Sequence, residues 1–73
     1  MNMTPMQRTV LLTLTTEWQT PIQIVNQIPK ASVNLSDVQQ ALEDLLREKL
    51  VKMNPVVFGL YRLTADGIAR KEF

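Results

Sequence analysis

Three helix-start signals constrain this chain more than any other feature. Thr4-Pro5-Met6-Gln7, Thr20-Pro21-Ile22-Gln23 and Ser36-Asp37-Val38-Gln39 each place a hydroxyl residue three positions before a Gln. In that arrangement the hydroxyl oxygen accepts from the third residue's backbone N–H, and the Gln side chain returns to the cap's own N–H. Proline after the first two caps supplies a fixed φ where no N–H is needed. Asn34 competes with Ser36 as the third cap and would start that helix two residues earlier. Three helices in a chain of 73 residues leave room for little else. The expectation is one domain over residues 1–73, with a radius of gyration of about 11 Å. A chain this short buries only roughly 60% of its unfolded surface, so its stability rests on one modest core.

Helical spacing puts Met6, Val10 and Leu14 on one stripe of the first helix, with Leu11 beside it. Leu12 points nearly the opposite way, between Arg8 and Thr15. Its many threonines lower helix propensity, so tertiary packing must hold this element. Glu17-Trp18-Gln19 reads as a short break, with Trp18 in the core or at its rim between the first two helices. The second helix is expected over residues 21–28, with Ile24, Val25 and Ile28 on one face and Pro29 as its stop. Lys30-Ala31-Ser32-Val33-Asn34 reads as a turn. The third helix has the best apolar stripe in the chain: Val38, Ala41, Leu42, Leu45 and Leu46. Ser36, Gln40, Glu43, Asp44 and Arg47 face away from it, and Glu43 stands four residues before Arg47 in the favourable order for an ion pair.

Leu50-Val51-Lys52-Met53 and Leu60-Tyr61-Arg62-Leu63 read as two strands of a hairpin. Asn54-Pro55 signals the turn, Gly59 permits a second reversal, and Pro55-Val56-Val57-Phe58 forms the tip. Thr64 caps a final short helix over residues 65–71. The expected core comprises Val10, Leu14, Ile24, Val25, Ile28, Val38, Leu42, Leu45, Leu46, Tyr61 and Leu63.

Composition narrows the chemistry. The chain has no His and no Cys, which removes the common metal sites, thiol nucleophiles, imidazole bases and disulfides. Its carboxylates show no cation-binding spacing, and no nucleophile–base pair is visible. The expectation is therefore a protein that is not an enzyme, with no cofactor, no metal and no catalytic residue. Eight Lys and Arg against seven Asp and Glu give a net charge of +1, so any attraction to phosphate must come from uneven distribution. No apolar run approaches the ~20 residues that span a bilayer. No basic-then-apolar start suggests a signal peptide, so the default expectation is cytoplasmic, without a membrane.

Helix, turn, longer amphipathic helix and hairpin follow one another in the order of a winged helix-turn-helix. The segment Ser36-Asp37-Val38-Gln39-Gln40-Ala41-Leu42-Glu43-Asp44-Leu45-Leu46-Arg47-Glu48-Lys49-Leu50-Val51 resembles the recognition helix and first wing strand of bacterial winged-helix regulators. Tyr61-Arg62-Leu63-Thr64-Ala65-Asp66-Gly67 is similar to the exit from the wing in the MarR-like and PadR-like families. The resemblance covers nearly the whole chain. It implies an α+β, mainly α fold: a three-helix core, a two-stranded β-wing and a short C-terminal helix. It also implies DNA binding and transcription regulation. It calls for Gly where this chain has Lys49.

In such a fold the outward face of the third helix enters the major groove. Base edges are read best by Arg, Lys, Asn and Gln, so Gln39, Gln40 and Arg47, with Ser36, are the candidate readers of double-stranded DNA. Lys30, Lys52 and Arg62 are the candidates for backbone phosphates. Asp37, Glu43 and Asp44 lie on or beside the same face and oppose phosphate, and a merely solvated helix face is the competing reading. The wing tip carries Val56, Val57 and Phe58 where Arg or Lys is usual. Three readings compete for it, in this order of expectation: folding back onto the core, a protein or self-association contact, and an apolar wedge at a base step. The alternative function is accordingly a protein–protein interaction module without DNA binding, using Val56, Val57, Phe58 and Leu12. Leu12 and Phe73 motivate the expectation of a homodimer.

Overall fold

The computed structural model describes residues 2–29 and 33–71. Each of the four helices among the described residues begins on a polar cap. In α1 (Pro5–Thr13) and α2 (Pro21–Gln27) the full reciprocal box forms, Thr4 with Gln7 and Thr20 with Gln23. In α3 (Leu35–Arg47) the cap is Asn34, whose Oδ1 accepts from Asp37 N at 2.9 Å. The start at Ser36 is thus corrected by two residues, because the Asn side chain reaches the orphan N–H first. In α4 (Ala65–Arg70), Thr64 Oγ1 accepts from Gly67 N at 3.1 Å. Between α3 and α4 run β1 (Val51–Met53) and β2 (Tyr61–Leu63), paired antiparallel with Val51 opposite Leu63, Lys52 opposite Arg62 and Met53 opposite Tyr61. The described chain is therefore a small α+β unit: three helices, a two-stranded antiparallel sheet and a closing helix.

α1 ends one residue before Leu14, which leaves the helix in extended geometry yet stays fully buried. Thr9 and Thr13 hydroxyls donate back to the carbonyls of Pro5 and Thr9, both at 2.8 Å, a local bonding that favours helix ends over continuation. The segment that follows is more than a break. Gln19 and Tyr61 exchange backbone hydrogen bonds at 2.9 and 2.8 Å, and Leu63 N donates to Thr15 O at 2.9 Å. β2 is thus bonded on both edges. The hairpin is tied to the helical part of the chain by main-chain bonds as well as by packing.

The core unites Val10, Leu11 and Leu14 with Ile24 and Ile28, the inner face of α3, and Leu50, Val51 and Leu63 from the hairpin. Leu42 is fully enclosed, in agreement with the helical register read from sequence. Val25, Leu46 and Tyr61 only border the core, whereas Leu11, Ala41, Leu50 and Val51 lie within it. Fully burying one such Leu or Val is worth about 1.5–3 kcal/mol.

The junction between α3 and β1 fixes where the hairpin points. Lys49 adopts φ 63°, the left-handed region that favours glycine. Lys49 N donates to Leu46 O and Leu50 N to Leu45 O, each at 3.0 Å. These are the two bonds of a Schellman helix stop. Thr64 then bridges the junction: its N–H donates to Leu50 O at 3.1 Å and its hydroxyl to Lys49 O at 2.8 Å. α4 closes over the same place, where a Cβ on Gly67 would overlap the Leu50 carbonyl oxygen. At the far end of α4, Lys71 Nζ donates to Leu14 O at 2.5 Å.

Two substitutions test this junction by urea unfolding. Lys49→Gly relieves a left-handed side chain and should raise stability by about 0.5–1 kcal/mol, net of the entropy that glycine adds to the unfolded chain. Gly67→Ala should cost at least about 2 kcal/mol, because backbone must move to admit the methyl group. A destabilising Lys49→Gly or a neutral Gly67→Ala would contradict the geometry.

Candidate functional site

α3 is buried along Val38, Ala41, Leu42 and Leu45, and this alone decides what its outer face presents. Ser36, Gln39, Gln40, Glu43 and Arg47 are all exposed. Asp44 is not: its side chain is 22% accessible against 72% for Arg47. The carboxylate turns toward α1, where Gln7 Nε2 donates to its Oδ2 at 2.8 Å. Gln40 Nε2 donates to Oδ1 at 3.2 Å, and Arg47 Nη1 lies 3.6 Å from the same oxygen. The ion pair expected between Glu43 and Arg47 is thus replaced by one between Asp44 and Arg47, three residues apart. Asp44 wins because Gln7 and Gln40 already hold its carboxylate in place.

Gln7 joins two tasks that its position in a capping motif did not suggest. Its Oε1 accepts from Thr4 N at 2.9 Å, closing the α1 cap, while its Nε2 reaches α3. It is the buried polar residue of the described chain. Gln40 spends one amide hydrogen on Asp44 and keeps its carbonyl oxygen and second hydrogen. Those are the groups that a bidentate contact to a planar partner requires. An open hollow of about 410 Å³ between the start of α1 and α3 is lined in part by Gln7, Asp37, Gln40 and Asp44. Among the described residues no group of three or more His, Cys, Asp or Glu could hold a metal ion. No helix there is long and apolar enough to cross a membrane.

The phosphate candidates separate. Lys52 is exposed on β1. Its cross-strand partner Arg62 is half-buried, with its guanidinium carbon 4.7 Å from the centroid of the Trp18 ring. That stacking retains the charge and orients it, a contact worth about 0.5–1 kcal/mol at an exposed site and more when desolvated. It also assigns Trp18 to the rim between the α1–α2 segment and the hairpin. Lys30 and Phe73 lie outside the described residues.

The hairpin tip overturns the first of its three readings. Val56, Val57 and Phe58 do not fold back onto the core; they are 84%, 52% and 79% exposed. Asn54 holds them out. Its Oδ1 accepts from Val56 N at 2.8 Å and Val57 N at 2.9 Å, and its own N–H donates to Leu60 O at 2.8 Å. Gly59 completes the reversal at φ 88°. Leu12, on α1, is 49% exposed.

The chain matches no protein-family model, and no curated protein is significantly similar to it.

The bond from Gln7 to Asp44 can be measured by a double-mutant cycle. Gln7→Ala and Asp44→Ala should couple by about 1.5 kcal/mol in urea unfolding, the scale of a hydrogen bond to a charged group. Additive effects would mean that the two side chains do not depend on one another.

Proposed function

We propose that this protein is a winged-helix DNA-binding protein and transcriptional regulator that places α3 in the major groove. The observation that carries the reading is the outer face of α3. It offers Ser36, Gln39, Gln40 and Arg47 to solvent, while the Asp44 carboxylate is drawn toward α1 and bonded by Gln7. One of the acidic groups that would oppose phosphate is thereby half-buried and held on the α1 side, and the amide of Gln40 is oriented by it. The order of elements adds support, since a short helix, a turn, a longer helix and a hairpin are the parts of a winged helix-turn-helix. Gln39, Gln40 and Arg47 act as base readers; Lys30, Lys52 and Arg62 hold phosphates. The role is one of binding without catalysis, exercised in the cytoplasm. The active form is a homodimer, because one helix on an 8.4 kDa domain captures little surface, and exposed Leu12 is available for the contact.

A second reading, a protein-interaction module, is favoured by one observation: the exposed Val56, Val57 and Phe58.

Selection of duplexes from a random pool, followed by a salt series, tests the proposal. A dimer should enrich an inverted repeat with half-sites about one helical turn apart. With about three phosphate contacts per subunit, the log–log salt slope should be near −3 per subunit. Gln40→Ala should relax preference at one base position and leave the slope alone, whereas Lys52→Ala should weaken binding to all sequences and reduce the slope by about one. Failure to bind any duplex at low salt would sink the proposal and leave the interaction module as the leading account.

A further inference from the structure

The hairpin joins the cations assigned to phosphates above to an apolar tip that the α3 contact does not use. From residue 51 to residue 63 its charged side chains are Lys52 and Arg62, with no Asp or Glu among them. Beyond those charges stands an apolar tip whose Val56 and Phe58 are almost fully exposed. The tip is also shaped in advance. The Asn54 side chain ties the N–H groups of Val56 and Val57, and the Asn54–Leu60 backbone bond closes the loop behind them. A preformed loop loses little conformational entropy on binding, so its apolar area is available to the contact itself.

A convex apolar point on a purely cationic stem suits a partner that is anionic outside and apolar within. Duplex DNA has that character at a base step, where phosphates flank the faces of stacked bases. Resting on the DNA reading above, we propose that the hairpin tip is a minor-groove wedge, with Phe58 inserting at a base step and Lys52 held by the flanking phosphates. Apolar side chains that enter in this way part the bases and kink the duplex toward the major groove. Pyrimidine–purine steps unstack most readily, so the wedge selects TA or CA/TG steps beside the sequence read by α3. The protein then reads deformability with the hairpin and base edges with the helix.

The test uses the full chain and end-labelled duplexes carrying a sequence enriched by the selection, with bending read by energy transfer between the ends. The native protein should bend a duplex with a TA step at the hairpin position, and a GC step there should weaken both bending and affinity. Phe58→Ala should abolish the bend and lower affinity about tenfold, on the scale of losing one base–aromatic contact, while leaving thermal unfolding unchanged. Phe58→Leu should retain most of the bend. Binding without a bend, unaffected by Phe58→Ala, would overturn the wedge and leave the DNA reading standing. Absence of binding to any duplex would overturn both. In a parallel arm with vesicles containing phosphatidylserine, Phe58-dependent binding without duplex bending would overturn the wedge in favour of a lipid surface.

Discussion

The left-handed residue at the end of α3 is the constraint on which the rest of this structure depends. Lys49 turns the chain out of the helix at φ 63°, and its carbonyl together with that of Leu50 receives both donors of Thr64. One side of the junction is the helix that carries the polar face; the other is the strand that leads to the apolar tip. Because Thr64 and Gly67 clamp the junction from the C-terminal side, the angle between helix and hairpin is set by short bonds rather than by side-chain packing alone. A lysine here carries the strain that glycine would avoid, of order 1–2 kcal/mol. The Schellman bonds and the burial of Leu45 and Leu50 offset it.

A second tie, between Gln7 and Asp44, works on the electrostatics of the same helix. Drawing one oxygen of the Asp44 carboxylate toward α1 requires a donor there, and Gln7 provides one from within the α1 cap. Helix capping, helix–helix docking and the charge presented by α3 are thereby linked through one side chain. Asp37 and Glu43 remain exposed, so the face is mixed rather than basic. Any affinity for DNA must therefore rest on a few hydrogen bonds and on the hairpin more than on long-range attraction.

Local signals explain what was legible in the sequence. Thr4, Thr20 and Thr64 act as caps because each motif lies within four residues of itself, and Pro29 lies just beyond the end of α2 for the same kind of reason. The α3 stripe followed from its helical periodicity. Contacts between distant residues were not legible. Gln7 and Asp44 are 37 positions apart, and nothing local marks either as the other's partner. The pairing of Gln19 with Tyr61 involves a segment too short to show alternation. The Trp18 ring that orients Arg62 likewise comes from a distant segment, with no local mark of the contact. At the tip, three apolar residues suggested burial, but the Asn54 side chain satisfies two backbone donors locally and holds the loop outward.

If the α3 face and the hairpin form one DNA-binding surface, a duplex must touch both at once and leave the remaining helices alone. Amide chemical-shift mapping during titration with an enriched duplex measures this directly. The account predicts concerted shifts at Ser36, Gln39, Gln40, Arg47, Lys52 and residues 56–58, with α2 beyond its first turn and α4 unmoved. Shifts confined to the tip, or centred on Leu12 and the rest of α1 with α3 silent, would contradict it.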